Sequence, residues 1–264
     1  MKLTVIGGGG VRSLMLAKSL AQNAKEYNIT HIVFMDNNVQ KLNIFGALAR
    51  EVAIRIMPSL DFTLTTNPVE AIQGADYIIT TIRAGEDDMR IRDERIALAH
   101  NVLGQETTGA AGFSFAMRSV PALAEYCELV RKYANPNAKV FNFTNPAGVV
   151  SQTLRDMGYD FTFGICDAPT GMLRSFAHLY GIAPETVTAT CYGLNHLSFF
   201  NSIQFSGKEM LPTLINDDRI YATTDMRFFS KELTKKMGCI LNEYLYYFFY
   251  REKAVQNILD AHVT

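Results

Sequence analysis

The sequence predicts an α/β protein in which a doubly wound parallel sheet is followed by a smaller, mixed α/β second domain. Three observations carry that expectation. Apolar, β-branched runs alternate with stretches of helical spacing through the first 160 residues. The first of these runs ends in a cluster of four glycines, residues 7–10. Beyond residue 160 two longer strands follow each other with no crossover helix between them.

Residues 3–6 form a short β-branched run, and residues 11–23 carry Leu14, Leu16, Ala17, Leu20 and Ala21 at helical spacing. Residues 32–35 are apolar again and stop at Asp36, completing a strand–helix–strand unit. The alternation continues with a long helix over 41–56, a strand over 62–65, a short helix after Pro68 and a buried-type strand over 77–81. Helices over 88–100 and 115–133 follow, then a strand over 139–143 that leads into Asn145 and Pro146. Right-handed crossovers assemble such a series into one Rossmann-like parallel sheet covered on both faces. We place a boundary near residue 160, giving a dinucleotide-binding domain over 1–160 and a second domain over 161–264. In the latter, residues 161–165 read as a strand, 171–180 as a helix, and 187–192 and 197–205 as longer strands with no crossover helix between them.

Composition narrows the partners. The 264 residues are 48% hydrophobic and 19% charged, with 25 basic against 26 acidic side chains and a net charge of −1. No dense Lys/Arg run is present, so no nucleic-acid partner is expected. Apolar stretches break well short of the ~20 residues of a membrane span. No signal-peptide pattern follows Met1, and the expected setting is the cytoplasm. Cys127, Cys166, Cys191 and Cys239 form no Cys-x-x-Cys pair, which argues against a disulfide framework and a zinc ribbon.

The glycine cluster follows a strand and opens a helix, as a phosphate-binding turn does. In the dinucleotide fingerprint the first two glycines permit a tight turn and a close approach to pyrophosphate, while the third lets helix pack on strand. Gly7 and Gly9 meet the first requirement, with Gly10 beside them; Arg12 stands where the third glycine belongs. Asp36 ends the second strand where an acid should bind the adenosine ribose, and with no basic neighbour in sequence it favours NAD over NADP. A glycine-rich turn without a ligand is the bland alternative.

Five further strings stand together: TIRAG at 81–85, GQETTG at 104–109, NFTNPAG at 142–148, GICDAP at 164–169 and YGLNHLSF at 192–199. In this order and spacing they resemble glycoside hydrolase family 4, the NAD- and divalent-metal-dependent hydrolases whose members cleave 6-phospho-glucosides. The resemblance runs from Met1 to about Lys253. Family turns of this kind lack a third fingerprint glycine, so Arg12 varies an already modified motif. The resemblance implies oxidation of the sugar by NAD, elimination of the aglycone, addition of water and return of the hydride, outside the two-carboxylate scheme.

It also implies roles for particular residues. Cys166 and His196 would hold the metal, usually manganese, since a thiolate with an imidazole makes a borderline-soft pair that leaves positions open for substrate oxygens. Taken singly, Cys166 reads equally as a buried thiol and His196 as a core imidazole. Tyr244, in NEYLYYFFY at 242–250, matches the family's catalytic base, which with an ordinary pKa near ~10 needs a cation close by. An aromatic packing stripe on a helix is the alternative for that run. Asp167 matches the general acid of the phospho-α-glucosidase branch. Asn145, Asn195 and Glu106 suit sugar hydroxyls, with Asn145 also near the cofactor; Arg83 is expected beside the cofactor, and Arg90 falls where the family places a 6-phosphate-binding arginine. An exposed helix arginine is the alternative for Arg90.

Three departures from the family accompany these matches. Glu86, Asp87 and Asp88 make the loop after the fourth strand more acidic than expected, and GAAG replaces the usual sequence at 109–112. Family members continue beyond the tyrosine string, whereas this chain stops at Thr264, so an incomplete substrate domain with uncovered aromatic surface is expected. The expected partners are a phosphorylated sugar and further copies of the chain, as dimer or tetramer. Two other readings share the fold: a malate/lactate-type 2-hydroxy-acid dehydrogenase using His196 as proton shuttle, and a relative that binds NAD without turnover.

Overall fold

In a computed structural model that describes residues 1–261, β1 (Lys2–Ile6) is buried over Leu3, Thr4, Val5 and Ile6, the pattern of a strand with helices on both faces. It lies between β2 (His31–Met35) and β4 (Tyr77–Thr80), with β3 (Asp61–Thr65) outside β2, and β5 (Lys139–Asn142) and β6 (Thr162–Gly164) outside β4. Every pairing is parallel, and the order β3-β2-β1-β4-β5-β6 reverses between β1 and β4. Crevices beyond the carboxyl ends of strands open at such a reversal.

The helices that cover this sheet follow local rules. α1 (Ser13–Asn23) turns Ala17 and Ala21 inward. The expected helix over 41–56 is unbroken but holds a π-turn, running as α2 (Val39–Lys41), the π-turn at Leu42–Gly46 and α3 (Ala47–Ile56), whose buried Ala49 and Ala53 let it pack closely on α1. α4 (Pro68–Ile72) begins at Pro68 and is capped by the Asn67 side chain. α5 (Glu86–Ala99) and α6 (Gly109–Tyr133) both begin earlier than the apolar spacing indicates. α7 (Ala147–Asp156) is an addition to the sequence reading, since Gly148, Val149, Val150 and Thr153 are poor helix formers. Its signal was the burial spacing of Ala147, Val150 and Leu154 directly after Pro146.

The chain divides into two compact units. The first contains Met1–Ala97 and Gly104–Ile165; the second contains Leu98–Leu103 and the chain from Cys166 onward. The strand that the sequence reading puts past its boundary is thus β6, the last strand of the first unit's sheet.

The second unit opens with α8 (Ala168–Tyr180), which ends at Gly181 in the left-handed conformation. Its sheet is antiparallel throughout: β7 (Val187–Leu194) and β8 (Leu197–Phe205) form a hairpin, and β9 (Lys208–Glu209) and β10 (Ile240–Leu241) both pair with β8 on the edge away from β7. α9 (Leu211–Asn216), α10 (Asp218–Thr223) and α11 (Lys231–Met237) connect β9 to β10. After a 3-10 turn at Glu243–Leu245 come α12 (Tyr246–Phe249) and α13 (Arg251–Ala261). Phe176, Phe200, Ile203, Leu214, Ile220 and Ile240 form the buried centre, each worth about 1.5–3 kcal/mol of transfer free energy. Tyr192, Leu194, Phe248 and Phe249 remain exposed, so this unit does present uncovered apolar surface.

Candidate active site

β1 delivers the chain to Gly7, whose φ of +98° belongs to glycine and where a Cβ would stand 2.6 Å from the carbonyl oxygen of Thr81. A side chain at Gly9 would strike the Asp36 carboxylate at 2.8 Å; without one, the Gly9 N–H donates to Oδ2 of Asp36 at 2.9 Å. The Asn38 N–H donates to Oδ1 at 2.9 Å, so both carboxylate oxygens are oriented by backbone. Gly10 is exposed at the rim. Arg12 precedes α1 and is exposed, while Ser13 occupies the buried position beside the sheet, so the absent third glycine leaves helix packing intact.

These residues line a cleft of about 690 Å³ that also reaches Arg83 and Tyr126. A cleft within the ~300–1,000 Å³ range of ligand sites, a glycine turn at a helix start and an aligned Asp36 fit a dinucleotide. One sequence inference needs correction. Lys41, five positions after Asp36, stands in the same cleft, so a base is near the ribose end after all. Its ammonium, however, is 2.8 Å from Oε2 of Glu86.

Three of the motif residues meet in the first unit. Glu106 accepts from Nη1 of Arg83 through one carboxylate oxygen and from Nδ2 of Asn145 at 3.0 Å through the other. Asn145 is carried there by a buried tie in which Thr80 Oγ1 donates to Asn142 Oδ1 at 2.9 Å and Asn142 Nδ2 to Thr144 O at 3.1 Å. Arg90 is no free surface arginine: Nη1 donates to both oxygens of buried Glu94, at 3.1 and 3.3 Å, and Asp87 lies 3.7 Å from Nε. Burial nevertheless raises the Glu94 carboxyl above its usual range, with Arg90 acting in the opposite direction. The sequence reading overlooked Arg118, which pairs with Asp93 and donates to Ala84 O at 3.3 Å. Arg118 and Arg83 both face the Phe115 ring, at 5.7 and 6.0 Å from its centroid. An acid within a helix whose partner lies 25 residues away gives no local signal.

In the second unit, Cys166 precedes α8 and His196 occupies the tip of the β7–β8 hairpin with φ of +61°. Histidine is among the few side chains enriched in this conformation. Nε2 of buried His196 lies 3.5 Å from Sγ of half-buried Cys166. Ordinary metal–sulfur and metal–nitrogen bonds separate two ligands of one ion by about 3.1–3.6 Å, so this pair fits a shared cation. No group of three or more His, Cys, Asp or Glu suited to a metal occurs among the described residues.

Tyr244 lies flat on the His196 imidazole, with ring centroids 3.5 Å apart and 1° between planes. Buried Asn242 sets this position: its Oδ1 accepts from the Tyr244 N–H at 3.0 Å and its Nδ2 donates to Ser198 Oγ at 3.2 Å. Tyr246, Tyr247 and Tyr250 pack into the unit's core, while Tyr244, in the 3-10 turn before α12, touches Tyr247 at 5.9 Å between centroids and stacks on His196. Asp167 is exposed at the N-terminus of α8, and Asn195 is exposed in the hairpin turn beside His196. Glu243, unremarked in the sequence, has a buried Oε2 with no hydrogen-bond partner. Burial, then Asp225 and Asp167, raise its carboxyl above the usual range. Burial pushes the Cys127 thiol up to about 12 and raises that of Cys239.

The sheet order, glycine turn and oriented Asp36 define an α/β protein of the doubly wound class whose turn suits a dinucleotide. The model of family 4 glycosyl hydrolases matches residues 2–182, and that of the family 4 glycosyl hydrolase C-terminal domain matches residues 191–263. The chain belongs to family 4 of the glycosyl hydrolases. It is 30% identical to 6-phospho-beta-glucosidase BglT of Thermotoga maritima over 98% of this chain and 61% of the relative. It is 32% identical to a 6-phospho-alpha-glucosidase of Leptotrichia buccalis over 80% of this chain and 49% of that one. The Thermotoga maritima 6-phospho-beta glucosidase structure with manganese, NAD+ and glucose-6-phosphate superposes with a TM-score of 0.88 at 30% identity, covering 98% of this chain and 61% of that one. The chain therefore spans about half to three fifths of these relatives.

Proposed function

We propose that this protein hydrolyses O-glycosidic bonds in 6-phospho-glucosides with the help of NAD and a divalent metal such as manganese. The observation that carries this reading is the Cys166–His196–Tyr244 constellation, in which a thiol and an imidazole 3.5 Å apart meet a phenol stacked on the same imidazole. The relatives' binding of NAD, manganese and glucose-6-phosphate supports it.

Bound NAD would accept and later return the hydride at the sugar's third carbon, while a metal held by Cys166 and His196 would polarise the carbonyl so formed. Tyr244 takes the proton from the neighbouring carbon, made acidic by that carbonyl. Asp167 gives a proton to the departing oxygen. Gly7, Gly9, Gly10 and Asp36 hold the dinucleotide, with Arg83 beside it. Asn145, Glu106 and Asn195 orient sugar hydroxyls, and Arg90 receives the 6-phosphate, its fork prealigned by Glu94. The elimination route accommodates either anomer. Four free thiols fit a reducing, cytoplasmic setting, and the exposed Phe113 and Met117, one turn apart on α6, suit association with a second copy.

The test is a panel of α- and β-linked nitrophenyl glucoside and galactoside 6-phosphates, assayed with and without NAD and manganese. The reading expects nitrophenol release that needs both additions, with no net NADH. Net NADH production from a 2-hydroxy acid, without need of metal, would replace it with the dehydrogenase.

A further inference from the structure

We propose that Glu86 sets the cofactor preference of the dinucleotide cleft: by holding the Lys41 ammonium, it withholds the positive charge that a ribose 2′-phosphate would need beside Asp36. The cleft then takes a dinucleotide with a free 2′-hydroxyl and rejects the 2′-phosphorylated form. This inference rests on the reading of the cleft as an NAD site.

Asp36, Asn38, Lys41 and Glu86 line one cleft. Oε2 of Glu86 is 2.8 Å from Nζ of Lys41, and Oε1 accepts from Nδ2 of Asn38 at 3.3 Å. Two contacts from the segment after β2 therefore meet one carboxylate from the segment after β4. Glu86 has φ of +54°, and Gly85 before it has φ of +85°, so the chain makes a left-handed turn there before α5 begins. The bond with Glu86 is the foremost cause that raises the Lys41 pKa, and the attraction of Asp36 adds to it, so the ammonium lies within the field of both acids. With Lys41 held by Glu86, a doubly charged 2′-phosphate beside Asp36 would meet two carboxylates and a lysine that is already paired. This gives a role to Glu86, the first of the acidic residues at 86–88, which the proposed reaction leaves unused.

Lys41 and Glu86 are 45% and 58% exposed, so solvent weakens their effect to a few-fold rather than orders of magnitude. Calorimetric titration of the whole chain with NAD and with NADP tests the proposal in wild type, Glu86→Gln, Lys41→Met and the double variant. Wild type should bind NAD at least about tenfold more tightly than NADP. Glu86→Gln should tighten NADP about three- to tenfold while changing NAD less than about twofold, and adding Lys41→Met should remove most of that gain. An unchanged NADP-to-NAD ratio in Glu86→Gln overturns the inference, as does a gain that persists in full without Lys41. Failure of wild type to bind either nucleotide overturns the NAD reading itself, and the inference with it.

Discussion

The imidazole of His196 lies on the phenol of Tyr244 at 3.5 Å between centroids, while its Nε2 reaches Cys166 Sγ at 3.5 Å. One ring thus joins a candidate base to a candidate metal ligand. Aromatic pairs ordinarily prefer offset or edge-on contacts with wider centroid separations. The backbone of both partners is held, His196 by the hairpin and Tyr244 by Asn242.

Tyr244→Phe keeps the stacked ring and removes only the hydroxyl. Hydrolysis should fall about 10²–10⁴-fold, the usual contribution of a positioned proton acceptor, with manganese affinity and melting temperature nearly unchanged. Steady-state kinetics with manganese titration checks this. A phenylalanine variant retaining wild-type kcat would reduce Tyr244 to a packing residue.

Cys166→Ser exchanges a soft thiolate for a hydroxyl that stays protonated. Manganese affinity, followed by the paramagnetic resonance of free ion, should drop at least about tenfold, and activity with it. Chelator treatment of wild type should likewise abolish turnover, and added manganese restore it. Equal metal affinity in the serine variant would remove Cys166 from the site.

Gly7→Ala places a methyl group 2.6 Å from the Thr81 carbonyl at a φ that alanine avoids. Left-handed strain of about 1–3 kcal/mol should lower stability in a melt, and displacement of the turn should weaken NAD binding more than tenfold. Intact NAD affinity in a folded alanine variant would separate the glycine turn from the cofactor.

Glu106→Gln removes the charge that Arg83 and Asn145 share. Loss of such charged hydrogen bonds, about 1.5–3 kcal/mol each in protein interiors and less at this half-exposed site, should raise KM for the sugar phosphate roughly tenfold and change kcat less. An unaltered KM would leave Glu106 a purely structural brace.

Glu243 gives the pH dependence. Its carboxyl is held above the usual value of 4.5 in the folded chain, so the folded state binds that proton more tightly than the unfolded one. The resulting stabilisation is complete below pH 4.5 and is lost as pH rises through the raised folded value. Glu243→Gln removes this term, so melting temperatures should show wild type losing ground to the variant as pH rises from about 4 to 7. Parallel curves would mean that Glu243 ionises normally.

The first unit was legible because its signals are local. Strand, glycine turn, helix and Asp36 follow each other within a short stretch, and β-branching and helical spacing report the sheet strand by strand. The Cys166–His196 pairing and the candidacy of Tyr244 came only through family likeness, since nothing in the 29 residues between Cys166 and His196 encodes a 3.5 Å contact. α7 escaped because Val149, Val150 and Thr153 imitate a strand, and its helix rests on packing of Ala147, Val150 and Leu154. Lys41 gives no local signal because its ammonium enters the field of Asp36 only after the chain turns through α2.

By itself, the sequence determined the alternation of strand and helix, the glycine turn with its acid, and membership of the family, all properties of residues read against their near neighbours. Tertiary structure alone decided that the strand Thr162–Gly164 closes the first sheet, that Glu106 joins Arg83 to Asn145, and that Glu86 occupies Lys41. The physical reason is range: backbone preference and hydrophobic periodicity act over a few residues, whereas a side chain's partner is whatever packing brings within a few ångströms.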